Sequence, residues 1–425
     1  MYMLGLVGLL LILMLIRVPV AISLILTSAI GIAIEGINIL SVVQRLHAGT
    51  VSWLLTAIPF FILAGTIMSE GGLSKRLVAF SDALVGWMPG GLATVNIVAS
   101  MFFGGISGSA IADTSAIGSV LIPEMEAHGY SRKFASAVTV ASSPIGMIIP
   151  PSIPFVIWSF VSGVSLGKMF LGGLIPGILI GLSLIVVSTT ISIRRKYQPR
   201  SRKIDRQAMK RTYKDGLIAM IAPIIIIGGI LTGIFTATES AIIAVLYSWI
   251  VTQFIYKEFH FKDFPKVLLK ASLTSASVMF IIGGATVFSW LLAINRVPQA
   301  LGVFVANYVQ SPGLFVLMGA ILMLVLGMFL DTTTIILLIG PILAPIINSM
   351  NVDPIQVAMV FMVALAVGLF TPPLGLCLFV VSTVADVRLE DVAVESIPFL
   401  IAMLAVAVLI WVVPGLVTFL PGLVV

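Results

Sequence analysis

The segment best equipped for chemistry is residues 104–115, GGISGSAIADTS, which carries glycines, hydroxyls and one carboxylate between two apolar runs. Inside hydrocarbon, irregular chain survives only where it packs in protein or lines a wet cavity, because unpaired backbone polar groups are costly there. An ionisable residue at that depth suggests a functional site. The segment therefore predicts a helical hairpin that enters the membrane, turns at residues 107–113 and leaves on the same side.

An alternative places this segment in a loop outside the membrane, with Asp113 capping the helix that follows. A second copy of the pattern favours the functional interpretation. Asp331 begins the run DTTT and is followed by a proline after the same interval as Asp113. The run GMIIPP at residues 146–151 likewise returns as GLFTPP at residues 368–373. Matched apolar segments interrupted by glycine and proline in both halves of a chain point to a transporter binding site.

Composition defines the class of protein. Of the 425 residues, 60% are hydrophobic and only 9% are charged, which indicates a polytopic protein of the lipid bilayer. The net charge of +6 comes from basic residues clustered between spans, so it indicates membrane orientation and not a nucleic-acid partner. Cys377 is the one cysteine, which excludes an internal disulfide and a multi-cysteine metal site. Residues 1–16 lack signal-peptide features and are expected to be a retained span.

The chain divides into two halves with the same order of elements. Residues 1–193 are predicted to hold scaffold spans at 1–40, an arm helix along the interface at 73–87, a hairpin at 92–127 and a broken helix at 134–161. Residues 216–425 are predicted to hold scaffold spans at 217–255, an arm helix at 296–310, a hairpin at 313–350 and a broken helix at 354–385. Residues 194–215 form a basic linker, predicted to be cytoplasmic. Between spans, residues 41–50 are read as a polar stretch and residues 257–270 as a basic loop.

The number of crossings predicts the topology. Each half crosses the membrane an odd number of times, because its hairpin returns to the side from which it entered. The second half is therefore inverted, and the predicted fold is all-α with two inverted-topology repeats. If the linker is cytoplasmic, all but three of the 23 Lys and Arg residues lie inside, as the positive-inside rule requires. The exceptions are Arg45, Lys168 and Arg296, and the C-terminus is expected to be periplasmic.

The hairpin turns and helix breaks offer hydroxyl, carboxylate and freed carbonyl oxygens, which a hard cation prefers. Two sodium sites are therefore predicted. The first set is Ser107, Ser109, Asp113, Ser143 and Gly146, and the second is Asp331, Thr332, Thr333, Gly368 and Thr371. Sodium moving with the membrane potential gains roughly 2.3 kcal/mol per charge per 100 mV, which can drive a substrate uphill without a nucleotide.

The candidates for binding an anionic substrate are fewer. Exposed helix N-termini and small polar residues such as Ser152, beside Pro151, offer N–H and O–H donors to a carboxylate. Arg296 is a candidate for attracting an acid, and the alternative is an arginine that snorkels at the end of a span. Glu239 also lies in an apolar region, but the run TATE at residues 236–239 fits a capping box.

Motifs for nucleotide hydrolysis, zinc binding and serine hydrolysis are absent from the sequence. The chain is therefore not expected to be an ATPase or another enzyme.

Together these features resemble one family, the large membrane subunits (DctM-like) of tripartite ATP-independent periplasmic (TRAP) transporters, over essentially the full length. The resemblance rests on RVP at residues 17–19, GGISGS at 104–109 with ADT at 112–114, SPIG at 143–146 with PP at 150–151, GIFTATE at 233–239, GMFLD at 327–331 and TPPLG at 371–375.

The resemblance implies a sodium-coupled importer of the elevator type in the bacterial inner membrane, with separate scaffold and transport domains. It implies two partners, a small four-helix membrane subunit and a periplasmic substrate-binding protein. The implied substrates are organic acids, either of the sialic-acid or of the C4-dicarboxylate class. By the family pattern, Ser107, Asp113 and Asp331 map to sodium-binding hairpin regions, and Arg296 maps to a basic position near the substrate path.

Other functions stay open at this point. One is a self-sufficient sodium–carboxylate symporter or a sodium/proton exchanger, which would need no binding protein. The other is a membrane-embedded enzyme acting on lipid-linked substrates. Such an enzyme needs clustered carboxylates to hold Mg²⁺ on a diphosphate, whereas Asp113 and Asp331 are isolated in the sequence.

Overall fold

The computed structural model describes residues 2–16, 18–197, 206–309, 311–350 and 352–423, and within them every regular element is helical. The first half contains α1 (Tyr2–Leu15), α2 (Val20–Ile34), α3 (Leu40–Thr50), α4 (Ala57–Glu70), α5 (Leu73–Val85), α6 (Gly91–Ser107), α7 (Ala110–Ala127), α8 (Arg132–Ser142), α9 (Ile153–Ser162) and α10 (Leu166–Arg194). A 3₁₀ turn, Ser143–Met147, follows α8 directly.

The second half contains α11 (Arg206–Leu231), α12 (Ala237–Ile250), α13 (Phe264–Ile294), α14 (Val297–Tyr308), α15 (Pro312–Gly327), α16 (Thr332–Ser349), α17 (Pro354–Gly368), α18 (Leu376–Ala385), α19 (Leu389–Val412) and α20 (Gly415–Gly422). A π-helical turn, Val251–Ile255, extends α12. The predictions for Arg17, for the linker between 198 and 205, for Gln310 and for the C-terminal Val425 concern residues outside the described ranges.

The helices include several that can cross a membrane. Among the described residues, six are long and apolar enough to do so, and the bent pair α4–α5 makes a seventh candidate. That pair turns by 72° at the break between Glu70 and Leu73, where Gly72 adopts the left-handed conformation that favours glycine. The predicted arm helix at 73–87 thus corresponds to α5, set at a steep angle to the span before it.

Three helix boundaries differ from the expected ones. The polar stretch at 41–50 forms α3, α11 begins at Arg206 inside the stretch expected as linker, and α13 begins at Phe264 inside the expected basic loop. Lysine and arginine are good helix formers, so charge marks where a span leaves hydrocarbon and not where its helix stops. The arm helices, hairpins and broken helices begin and end within three residues of the predicted bounds, whereas α2 ends at Ile34, six residues before the predicted end of the first scaffold spans.

Helices of one half pack against helices of the other half. Helix α4 packs against α12 of the other half, and α13 packs against α2. In the same way α7 of the first hairpin packs against α18, and α16 of the second hairpin packs against α9. Both breaks contain a cis proline pair, Pro150-Pro151 and Pro372-Pro373. The repeats are therefore interlocked, and the sites at both breaks lie where the halves meet.

The helices form two bodies connected by arms. A scaffold contains α1–α4 and α11–α13, and a transport block contains the hairpins, the broken helices, α10, α19 and α20. The arm α5 packs against both α6 and α11, and α14 contacts both α13 and α16. On α5, Arg76 pairs with Glu258 of the scaffold at 2.8 Å and lies over the ring of Tyr256. That contact fixes one arm to the scaffold.

Each hairpin crosses its broken helix at a pair of glycines. A Cβ placed on Gly104 would lie 2.3 Å from the Cα of Gly146, and one placed on Gly368 would lie 2.8 Å from the Cα of Gly327. Real Cβ atoms do not approach so closely, so both crossings require glycine. The backbones of hairpin and break are thereby held in direct contact in each repeat.

We expect Gly146→Ala to destabilise the protein by about 1–3 kcal/mol, the usual cost of overpacking. The new methyl would lie 2.7 Å from the Cα of Gly104 and 2.3 Å from Oδ2 of Asp113. The measurement is thermal unfolding of the purified protein in detergent. Gly228→Ala in α11 is the control, because nothing lies within 4 Å of its Cβ position. Equal melting temperatures of the two variants would contradict the crossing.

Candidate functional site

A cavity of about 300 Å³ lies between the two hairpin turns and the scaffold. The transport block contributes Phe103, Ser107–Ala112, Met147, Ile153, Pro154, Asp331–Thr333 and Leu369. The scaffold contributes Ile62, Gly65, Thr66 and Ser69 from α4, and Lys270, Thr274 and Val278 from α13. The cavity therefore brings the turns of both predicted hairpins to one place.

The first hairpin turns at Gly108 and Ser109. Gly108 is left-handed, and Ser109 caps α7 by accepting a hydrogen bond from the backbone N–H of Ala112. Asp113 lies in the first turn of α7, so the alternative in which Asp113 is the N-cap is wrong. Its Oδ1 accepts a hydrogen bond from the hydroxyl of Ser107, which ties the two ends of the turn together.

Asp113 is fully buried, and its second oxygen, Oδ2, has no hydrogen-bond partner among the described residues. That oxygen points at the glycine crossing, 2.3 Å from the Cβ position of Gly146 and 3.2 Å from that of Gly104. Burying a carboxylate without full compensation is costly. One oxygen is held by Ser107 and the other has no described partner, which makes Asp113 a candidate ligand for a cation.

A buried polar network leads up to this crossing between α6 and α8. Asn96 donates to the hydroxyl of Thr139 at 2.7 Å and accepts from Ser142, which is 2.9 Å from the hydroxyl of Ser100. Ser143, predicted as a sodium ligand, donates to the carbonyl of Thr139 at 2.7 Å. Sequence reasoning missed Asn96 and Ser100, although their four-residue spacing to Gly104 on an apolar helix was a usable signal.

The second hairpin turn differs in chemistry. Asp331 caps α16 by accepting from the backbone N–H and the hydroxyl of Thr334. Thr332 contacts the sulfur of Met147 in the break of the first repeat at 3.5 Å, and Thr333 lines the cavity. Asp331, Thr332 and Thr333 are thus brought together on the cavity wall.

The rest of the second predicted set lies at the break. Gly368 forms the glycine crossing with Gly327, and Thr371 donates to the carbonyl of Val367 at 2.7 Å. Neither Gly368 nor Thr371 lines the cavity.

The helix caps show that the two acidic residues are not equivalent. Ser109 and Asp331 are the N-caps of α7 and α16, which both have 18 residues. In this register Asp113 corresponds to Ile335, which is buried in the core. The candidate cation site at Asp113 therefore has an apolar counterpart in the second repeat.

The polar network also has an apolar counterpart. At the corresponding crossing of α15 and α17, Gly319 lies directly against the ring of Phe361. This contact takes the place of the hydrogen bond between Asn96 and Thr139. The two repeats thus have the same backbone arrangement but differ in the polarity of the interface between hairpin and broken helix.

The predicted substrate residues lie in two separate places. Ser152 is fully buried, caps α9 and donates to the carbonyl of Met147 at 2.5 Å. Pro151 forms the cis bond beside Ser152, and its carbonyl lies against Gly108. Arg296, in the left-handed conformation with φ of 54°, joins α13 to α14 at the end of α13 remote from the cavity-lining residues. Glu239 closes the expected capping box with Thr236.

Lys270 is the one cationic side chain among the described residues that line the cavity. Its ammonium lies 2.6 Å from a carboxylate oxygen of Glu70 at the end of α4. Sequence reasoning placed Lys270 in a basic loop and so missed it. The early start of α13 is what brings this lysine to the cavity.

Comparisons with known proteins agree on the family. A family model described as the DctM component of the tripartite ATP-independent periplasmic transporter matches residues 7–416. The chain is similar to the 2,3-diketo-L-gulonate TRAP transporter large permease protein of Escherichia coli, with 35% identity over 95% of each chain.

Two relatives come from Vibrio cholerae. The sialic acid TRAP transporter large permease protein is 35% identical over 91% of this chain and 90% of its own. The C4-dicarboxylate large permease protein is 36% identical over 96% and 95%.

One solved structure shares the fold. The YdaH transporter of Alcanivorax borkumensis superposes with a TM-score of 0.64 at 14% identity, covering 88% of this chain and 87% of its own. The relatives are transporter subunits and not enzymes. By family model, full-length relatives and fold, the chain belongs to the DctM-component large permeases of the tripartite ATP-independent periplasmic transporters.

Proposed function

We propose that this chain is the translocating subunit of a sodium-coupled secondary importer of an organic acid. The observation that carries the sodium coupling is the buried Oδ2 of Asp113, which lacks a partner among the described residues and faces the glycine crossing. The acid class follows from the relatives, whose names specify 2,3-diketo-L-gulonate, sialic acid and C4-dicarboxylates. Sialic acid and C4-dicarboxylates are the two classes that the family resemblance implies.

Sodium is a co-substrate in this proposal. Oδ2 of Asp113 would supply the charged ligand, with Ser107, Ser109, Ser143 and Gly146 around it. Asp331, Thr332 and Thr333 at the second turn would contribute to another sodium site, with Gly368 and Thr371 at the break behind them. Sodium entering with the membrane potential gains roughly 2.3 kcal/mol per charge per 100 mV, so no nucleotide is required.

Movement would be of the elevator type. Both hairpin turns belong to one block, and the scaffold meets that block along α4 and α13 and at α11. The arms α5 and α14 touch both bodies, so they can guide the block at the two membrane faces. Apart from Ile62, the scaffold residues that line the cavity lie in the half of α4 that ends at Glu70 and in the half of α13 that starts at Phe264. Under the predicted orientation, the cavity lies toward the cytoplasmic side of the scaffold.

The proposed partners are a small four-helix membrane subunit and a periplasmic binding protein, in the bacterial inner membrane. The scaffold offers an apolar face to a membrane partner. Exposed large side chains on its outer helices include Leu11, Ile12, Ile22, Leu26, Ile30, Leu217, Ile224, Ile242 and Leu246.

Uptake into proteoliposomes tests the function. Labelled succinate, N-acetylneuraminate and 2,3-diketo-L-gulonate are offered with and without a sodium gradient, the small subunit and the binding protein. We expect uptake of one acid only when all components and sodium are present. Uptake without the binding protein would instead support a self-sufficient symporter, and uptake without sodium would overturn the coupling.

We expect cysteines at Tyr197 and at Thr418 to be labelled from opposite sides of the membrane. Contacts such as Lys133–Asp391 and Arg195–Glu395 gather charged residues at the linker end of the transport block, and the positive-inside rule places that end in the cytoplasm. A membrane-impermeant maleimide on intact cells should therefore label Thr418→Cys directly and Tyr197→Cys only after permeabilisation. The reverse pattern would invert the topology.

A further inference from the structure

Two charged side chains line the cavity among the described lining residues, Asp331 and Lys270. Asp331 carries the same charge as an organic acid and is occupied as a helix cap. Lys270 carries the opposite charge and belongs to the scaffold helix α13. Its partner, Glu70, ends α4, the other scaffold helix that lines the cavity.

We infer that Lys270 binds the carboxylate of the transported acid at the linker-side mouth of the cavity, in exchange for Glu70. This inference rests on the proposed function and names the residue that handles the substrate's charge on release. Glu70 competes with the acid for Lys270 and pairs with the lysine again as the acid leaves, so the acid is not retained. Arg296, at the opposite end of α13, is not part of this step.

Exposure makes the exchange feasible. The side chains of Lys270 and Glu70 are 62% and 36% exposed, and exposed ion pairs of this kind contribute little net free energy. A substrate carboxylate can therefore displace Glu70 at small cost. Lysine is also a point charge on a flexible stem, which suits acids that differ in shape.

The other polar groups on the scaffold side leave this role to Lys270. The hydroxyl of Thr66 donates to the carbonyl of Ile62 at 2.6 Å, and that of Thr274 donates to the carbonyl of Lys270 at 3.1 Å. Both hydroxyl hydrogens are thus used within their own helices. Ser69 adds a neutral hydroxyl to this wall, so the ammonium of Lys270 is its charged donor.

The test measures both directions of transport. Proteoliposomes are preloaded with the labelled acid that wild type transports, chosen from succinate, N-acetylneuraminate and 2,3-diketo-L-gulonate. Binding protein is added only outside, so that only one orientation works. Lys270→Gln should raise the KM for internal acid about tenfold, the loss expected for one charge-assisted hydrogen bond. The KM for uptake should change less than about twofold. Lys270→Arg should stay close to wild type.

Glu70→Gln should have the opposite effect. It should lower the KM for internal acid and slow the turnover of uptake, because no carboxylate then displaces the acid from Lys270. Lys266→Gln is the matched control, since Lys266 lies one turn earlier on α13, is exposed and does not line the cavity. If Lys270→Gln behaves like Lys266→Gln, or raises both KM values equally, the inference is overturned while the proposed function stands. If wild type transports none of the acids, both are overturned.

Discussion

Asp113→Asn should abolish sodium-dependent transport while the protein still inserts and folds. The variant removes the charge that faces the glycine crossing but keeps the size of the side chain. Separating a buried charge from its partner costs roughly 3–5 kcal/mol, so we expect the sodium concentration for half-maximal uptake to rise about 100-fold or more. The measurement is uptake of labelled acid across a series of sodium concentrations, with potassium as the replacement cation.

Thermal unfolding separates a binding defect from a folding defect. Wild type should gain stability when sodium is added, because a ligand that binds only the folded state stabilises it. Asp113→Asn should lose that gain and be at least as stable as wild type without sodium, since a neutral amide replaces a buried carboxylate. Asp353→Asn is the matched control, because Asp353 is the N-cap of α17, belongs to neither proposed sodium site, and asparagine caps helices as well as aspartate. Unchanged sodium activation of Asp113→Asn would leave Asp113 a structural residue only.

The hairpins and breaks were predictable because glycine, proline and hydroxyls within apolar runs have few stable placements in a membrane. The cis proline pairs and one glycine of each crossing, Gly146 and Gly368, lie in the runs GMIIPP and GLFTPP, which recur in the two halves. These glycines occur in both repeats because the backbone contacts at Gly104 and Gly368 leave no room for a side chain.

The register of the second turn was not predictable from the same runs. Helix α16 contains Pro341 and Pro345, whereas α7 contains only Pro123. Matching Pro123 to Pro341 aligned Asp113 with Asp331, but the helix caps match Pro123 to Pro345. The ten-residue interval alone cannot show which proline of α16 corresponds to Pro123. The N-caps can show it, because they fix the residue at which each helix begins.

The role of Lys270 was hidden for a related reason. Charge patterns mark the end of a span, and residues 257–270 carry four lysines, which suggested a loop. The helix instead starts at Phe264 and carries Lys270 to the rim of the cavity beside Glu70. A partner 200 residues away in the chain cannot be identified from spacing along one helix.

A disulfide between Gly105→Cys in the first hairpin and Pro223→Cys in the scaffold should stop transport completely and reversibly. A Cβ on Gly105 would lie 4.0 Å from the Cβ of Pro223, inside the usual disulfide range of roughly 3.5–4.5 Å. If the block slides along the scaffold, these residues must separate in every cycle. Uptake is measured after oxidation and again after reduction, with the cross-linked fraction followed by gel shift.

Three comparisons isolate the effect of the link. Each single variant should transport under oxidation, including Gly105→Cys, whose Cβ lies 3.2 Å from the carbonyl of Pro150 and displaces it slightly. The native Cys377 is buried and should not react. A second pair, Gly118→Cys with Val384→Cys, joins two helices of the transport block, where the Cβ position of Gly118 is 3.8 Å from Cγ1 of Val384. Because those helices travel together, that link should leave uptake intact. Full uptake by the quantitatively cross-linked hairpin–scaffold pair would exclude sliding of the block, and loss of uptake in both pairs would point to rearrangement within the block instead.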